Sequence, residues 1–295
     1  MKVIVPDPIA SLTTNVPEDD YPAWANGTTY ASGARVITAA SHQVWQSVQA
    51  ANTGHSPTTD DGTWWVLVGA TDRYKPFDAK LSDAVTRQMN MSWTVTPVSR
   101  ADGLALFGVG ASSVNVKITA SGSTLYDQTF QILDTSAIVD WYSFFTYEPE
   151  YDTQMILTGL PGLAGSQIAI TLQSVGAFTS ISEIVVGRVN RLGTSLEGTS
   201  IGITDYSIKE RDEWGNPVIV QRAFADTTTF QFEMPPTDAR RVKTLLSRLR
   251  ATAAVYFVDE TATDLGATVF GFFSDFDIPL THGSSFATLE IEGLV

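Results

Sequence analysis

The sequence contains no cysteine. That excludes disulfides and thiolate metal sites as the means of holding the fold together, so each folded unit has to stand on its own apolar core. Charge is scarce too. Asp, Glu, Lys and Arg make up only 17% of the residues, with 18 basic against 32 acidic side chains and a formal net charge of −14. A surface so short of positive charge repels a phosphate backbone, which excludes general DNA or RNA binding. No stretch approaches the roughly 20 consecutive apolar residues of a membrane-spanning helix. The opening Met1-Lys2-Val3-Ile4-Val5-Pro6-Asp7 lacks the sustained apolar run of a secretory signal, so the chain is expected to be made as a soluble cytosolic protein.

Motifs for chemistry are missing as well. His42, His55 and His282 are the only histidines, and none has zinc-site spacing. There is no Walker loop, and Gly108-Val109-Gly110 is not completed into a dinucleotide fingerprint. No Gly-x-Ser-x-Gly elbow occurs. Carboxylates group at Glu148, Glu150 and Asp152, at Asp259 and Glu260, and at Asp275 and Asp277. A glycosidase needs two carboxyls a set distance apart across a cleft, and chance clusters are expected among 32 acids. The chain is therefore read as non-catalytic, with no metal and no cofactor.

What is present is apolar and β-prone. Hydrophobic residues reach 43% of 295 positions, enough for packed cores throughout, and the length suits two or three modules. Thr, Val, Ser, Gly and aromatics predominate over helix-favouring charged residues, which predicts a mainly β fold. Residues 1–16 form a β-rich start, expected to pair with the C-terminal scaffold. Pro17-Glu18-Asp19-Asp20 reads as a linker. Residues 17–71 form a small module dense in aromatics: Trp24, Tyr30, Trp45, Trp64 and Trp65. Residues 72–183 predict an antiparallel β-sandwich, jelly-roll-like, because Met91–Thr96, Val114–Thr119 and Gln167–Leu172 alternate apolar and polar side chains. Residues 184–295 predict a β-barrel or sandwich with one packed helix. That helix, 237–250, places Val242, Leu245, Leu246 and Leu249 on one face, follows Pro235-Pro236, and has Thr237 as its expected cap.

Two resemblances follow from quoted residues. Trp24, Thr29–Val36, His42–Ser47, Ala51–Pro57 and Thr63–Leu67 resemble the chitin-binding-type carbohydrate-binding modules of glycosidases and phage tail proteins. The resemblance implies glycan contact through Trp24, Tyr30, Trp45, Trp64 and Trp65, whose rings would stack on pyranose faces. The same rings are also what a core this small requires. Where chitinase modules often carry an exposed aromatic pair, this chain has Val48-Gln49-Ala50-Ala51. Further on, Ile201–Ser207, Trp214-Gly215-Asn216-Pro217, Leu249–Ala254 and Leu289–Leu294 resemble the terminal region of phage tail and baseplate proteins. That implies a ring-forming β scaffold with the smaller modules displayed outward.

Five of the 18 basic residues, Arg240, Arg241, Lys243, Arg248 and Arg250, lie on the helix. They form either a solvated face with local ion pairs or an interface with an acidic neighbour. Trp141-Tyr142-Ser143-Phe144-Phe145-Thr146-Tyr147 is either core or interface packing, or a second glycan site. Together these features predict a virion component of a bacteriophage tail tip or baseplate, assembled in the host cytoplasm. Its expected partners are copies of itself in a hexameric or trimeric ring, the tail tube, hub and fibres, and a host-surface glycan. The alternative is a free carbohydrate-binding protein or an accessory module of a polysaccharide-degrading system.

Overall fold

A computed structural model describes residues 1–134, 139–146, 150–151, 153–174, 178–211, 213–258, 267–279 and 283–294. Strands β1 (Lys2–Pro6) and β2 (Ile9–Thr14) open the chain. The aromatic module follows with β3 (Thr29–Tyr30), β4 (Arg35–Thr38), β5 (Gln43–Ser47), β6 (Asn52–Thr53) and β7 (Trp65–Ala70). Next come β8 (Val85–Arg87), β9 (Met91–Pro97), β10 (Gly103–Phe107), β11 (Ser113–Ala120), β12 (Ser123–Gln131) and β13 (Leu133–Asp134), then the short helix α1 (Trp141–Thr146). β14 (Glu150–Tyr151), β15 (Gln154–Thr158), β16 (Gln167–Gln173), β17 (Thr179–Ile181) and β18 (Glu183–Arg191) complete the middle of the chain. The last part holds β19 (Thr194–Ser195), β20 (Ser200–Asp205), β21 (Ile208–Arg211), β22 (Pro217–Val220), β23 (Phe224–Met234), helix α2 (Pro236–Arg248), β24 (Ala254–Phe257), β25 (Thr268–Asp277) and β26 (Ser285–Gly293). The fold is mainly β, in several modules, with two helices among the described residues.

Alternation in sequence becomes alternation in burial. Met91, Trp93 and Val95 of β9, Val114, Val116 and Ile118 of β11, and Ile168, Ile170 and Leu172 of β16 are fully enclosed, while their neighbours face outward. A pleated strand sends successive side chains to opposite faces, so one apolar face and one polar face follow. These strands belong to a five-stranded antiparallel sheet ordered β12-β11-β16-β9-β2. Its apolar face closes on Leu104 and Leu106 of β10 and on Ile184 and Val186 of β18, and this is the sandwich core. Each such side chain contributes about 1.5–3 kcal/mol by leaving water.

The facing layer is part of a larger sheet ordered β15-β10-β18-β1-β24-β25-β26-β23-β19, with β20 also paired to β23. It curls into a half-barrel. Units 72–183 and 184–295 therefore share one sheet, because β10 and β15 from the first are hydrogen-bonded into a ladder whose remaining strands come from residues 1–6 and 183–293. β1 lies between β18 and β24, and β2 forms an edge of the five-stranded sheet, so the first fourteen residues are stitched into both layers. Close approach is demanded where β1 meets β18: a methyl group on Gly187 would sit on the Val5 carbonyl oxygen.

Each face of this sheet carries an apolar cluster. Tyr256, Phe230, Phe232 and Leu289 meet Val242, Leu246 and Leu249 from the helix side. On the other face Ile4, Phe107, Val255, Phe257 and Phe270 pack together, with the Phe107 and Phe270 rings stacked at 5.6 Å. Helix α2 begins one residue before the expected start. Pro235 occupies the cap position with φ −60° and ψ 142°, Pro236 is the first helical residue, and Thr237 is inside the first turn and caps nothing. A proline at that position has φ already set for a helix and lacks an N–H that would go unpaired, so no side-chain cap is needed.

Candidate functional site

The aromatic module is built around Trp65, which is 1% exposed. The Asp60 carboxylate sets it there by accepting the backbone N–H groups of Gly62, Trp64 and Trp65 at 3.0, 3.0 and 2.9 Å. The indole N–H of Trp65 donates to the His55 carbonyl at 2.9 Å. Tyr30 stands edge-on to it at 5.2 Å, with its hydroxyl accepting the Ala25 N–H at 2.8 Å. Trp64 has one face covered by the His55 ring at 3.9 Å. Trp45 is half-buried and donates to Thr38 Oγ1 at 3.1 Å. Trp24 is half-buried too, and its indole N–H meets no acceptor among the described residues.

Of the five rings named for a sugar, only Tyr30 and Trp65 come into ring contact with each other. Trp65 offers no face to a ligand: the expectation for it is corrected, because a unit without disulfides keeps its largest ring in the core.

A polar clamp that sequence reasoning passed over joins this module to the sandwich. The segment read as a linker, residues 17–20, is tied down by partners far along the chain. Arg87 on β8 contacts Asp19 at 2.8 Å, Asp20 at 2.9 Å and Asp72 at 2.7 Å. Lys75 adds contacts to Asp72 at 2.9 Å and Asp83 at 3.2 Å. Glu18 accepts from Thr71 Oγ1 at 2.7 Å and from His42 Nδ1 at 2.9 Å, and the His42 ring stacks on Tyr74 at 4.1 Å. Burial, with the charge of Asp72 beside it, pushes the Asp20 carboxyl up to about 6. Burial acts on Asp72 in the same sense, yet the Lys75 hydrogen bond and the charges of Lys75 and Arg87 hold it below the usual carboxylate range.

The five basic residues on or just after α2 are all exposed. Arg240, Arg241 and Arg248 line a cleft of about 460 Å³ together with Asn190, Thr237 and Leu245. Lys243 and Arg250 lie outside that lining. Arg241 reaches Asp238 at 3.5 Å, a weak exposed pair.

Large apolar side chains are exposed at several places, among them Val66, Leu67 and Val68 of β7 and Ile201 and Ile203 of β20, and they are densest in two. In α1, Trp141, Tyr142, Phe144 and Phe145 project outward, with the three rings Trp141, Phe144 and Phe145 clustered at 5.5–6.4 Å. Core packing is thus corrected for this cluster, and Tyr147 lies outside the described residues. The second place is the β21–β22 hairpin, where Val218, Ile219 and Val220 are exposed on both faces and Trp214 at its tip is 82% exposed. A Trp-Gly-Asn-Pro turn between apolar strands is a sequence signal for such a hairpin. What sequence does not carry is whether anything covers it.

Of the carboxylate groupings, Glu148, Asp152, Asp259 and Glu260 lie outside the described residues, as does His282. Asp275 and Asp277 stand on β25, and among the described residues no group of three or more His, Asp or Glu is placed to hold a metal. No described helix is long and apolar enough to cross a membrane. Compared with protein-family models, with curated proteins and with solved structures, the chain matches none.

Proposed function

We propose that this chain is a structural component of a bacteriophage tail tip or baseplate, assembling as a ring of identical copies that also contacts neighbouring tail proteins. The observation that carries the reading is the exposed apolar surface of the β21–β22 hairpin, where Val218, Ile219 and Val220 all face solvent. Exposed apolar patches of this kind mark surfaces that associate. Three of the four stretches on which the tail-protein resemblance rests lie along the same region: Ile201–Ser207 run through β20 to the hairpin, Trp214–Pro217 form its tip, and Leu289–Leu294 run through and just past β26; the fourth, Leu249–Ala254, follows α2. The basic face of α2 supports lateral contact as well. In a chain of net charge −14, a cleft lined by Arg240, Arg241 and Arg248 is complementary to the acidic surface of another copy. The aromatic module, clamped through Arg87, is carried as a fixed attachment of the scaffold.

Native mass spectrometry of the purified chain tests the assembly, and immuno-labelling of virions tests the location. A single closed species of three or six copies, with label at one end of the tail, is the expected result. A chain that stays monomeric at micromolar concentrations, with no label on virions, overturns the proposal.

A further inference from the structure

We infer that the β21–β22 hairpin of one copy docks in the cleft between β15 and β20 of the next, so that each half-barrel is closed by a neighbour's strand. The inference rests on the ring reading and names the surfaces that make the ring. Among the described residues one end of the large sheet is β15, paired to β10 alone, and the other is formed by β19 and β20, each paired to β23 alone. Both ends border one cleft of about 560 Å³, lined by Ile156, Ile201, Ile203 and Val269 among others. An edge strand presents a row of N–H and C=O groups ready to pair. Here two such edges flank the same space. Gln154, Asp226 and Thr228 also line it, and Ile201 and Ile203 are still 60% and 65% exposed, so an open apolar stripe runs between polar side chains.

The hairpin supplies what the cleft lacks. It leaves β20 after Asp205 and returns to β23 at Phe224, and its tip at Trp214 lies roughly 30 Å from that root, at about 3.3 Å per residue. Pro217–Val220 is close in length to Gln154–Thr158 on the cleft's edge. Val218, Ile219 and Val220 are apolar on both sides of the strand, as suits a segment inserted between two layers.

Trp214, the three hairpin residues and the two cleft isoleucines expose on the order of 700 Å² of apolar surface, taking about 150–250 Å² for a whole aromatic side chain and somewhat less for an aliphatic one. Since a little over half of a typical interface is apolar, this corresponds to about 1,200 Å² in all, the lower bound of stable specific interfaces. Hairpin and cleft are different surfaces of one chain. Contact between them is head-to-tail, the arrangement that generates a closed ring when the rotation closes.

The absence of cysteine makes a clean test. Chains carrying Ile219→Cys are mixed with chains carrying Ile156→Cys under mild oxidation, and Ile219→Asp is examined in parallel by sedimentation. The expected result is a disulfide between the two kinds of chain, together with a monomeric Ile219→Asp protein that still unfolds cooperatively, at a melting temperature lowered by the loss of its partners. If wild type is a ring, yet Ile219→Asp still assembles and no mixed disulfide forms, the docking is overturned while the ring stands. Disulfides only between two Ile219→Cys chains also overturn it, in favour of hairpin-to-hairpin pairing. A monomeric wild type removes the ring reading itself.

Discussion

Replacing Glu183 by Gln should stabilise the protein at alkaline pH and leave it nearly unchanged at acid pH. Glu183 opens β18 and is 4% exposed. Its carboxyl accepts the Ala79 N–H at 3.1 Å. Burial and the nearby charge of Asp78 push it up to about 9, against the lowering effect of the Ala79 and Lys80 backbone N–H groups. The folded chain therefore keeps this proton at neutral pH, whereas the unfolded chain releases it near the ordinary value of 4.5. Because the folded-state value is raised, the contribution to stability is present in full below about 4.5 and is lost as the pH rises to about 9. Each unit of difference is worth about 1.4 kcal/mol, so wild type should lose about 3–4 kcal/mol through this group between pH 5 and pH 8. Glutamine is neutral at both. Asp20, raised for its own reasons, adds a slope of the same sign to both proteins and drops out of the comparison. Urea unfolding of wild type and Glu183→Gln at the two pH values measures the difference. Equal differences between the two proteins at pH 5 and pH 8 would refute the reasoning.

Three further outcomes follow from the packing. Arg87→Gln leaves Asp19, Asp20 and Asp72 facing one another without their shared cation, which should cost about 2–4 kcal/mol. Limited proteolysis should then cut at residues 17–20, and a cleavage pattern like wild type's counts against the clamp. Trp65→Ala should cost about 3–5 kcal/mol and unfold residues 17–71, whereas Trp45→Ala leaves them folded; amide NMR spectra of the two variants distinguish these results. Gly187→Ala forces β1 away from β18 and should cost about 1–3 kcal/mol, with faster hydrogen exchange at the amides of Val3 and Val5 than in wild type.

The sandwich strands β9, β11 and β16 and the helix α2 were legible because each writes its period into consecutive residues. β10 was not. Its five residues are all buried, since it packs on both faces, so no alternation marks it. The clamp was equally hidden: Glu18, Asp19 and Asp20 look like a solvated acidic linker until Arg87, far along the chain, is brought beside them. Glu183 stood at an expected module boundary, where a carboxylate suggests solvent; the continuity of the large sheet through β18 puts it inside instead. For the aromatic module, composition announced a compact unit and could not sort core rings from surface ones, because both tasks use the same side chains. The hairpin's strands and turn were readable. Its exposure depends on what the rest of the chain leaves uncovered.

The placement of β1 has a consequence for the order in which the molecule forms. The N-terminal ammonium donates to the Gly193 carbonyl at 2.7 Å across 192 positions of sequence, and β1 then pairs with β24, farther along still. Its flanking strands, β18 (Glu183–Arg191) and β24 (Ala254–Phe257), therefore lie far along the chain from it. Residues 17–71 have all their strand partners close at hand and can condense early. The large sheet must wait with an unfilled slot between β18 and β24, at a loop-closure cost that slows assembly of long-range pairings, whereas β2 adds to the edge of the other sheet beside β9. Folding of this chain is thus expected to finish with a late event, the insertion of β1 between β18 and β24 of a sheet already formed on either side of it.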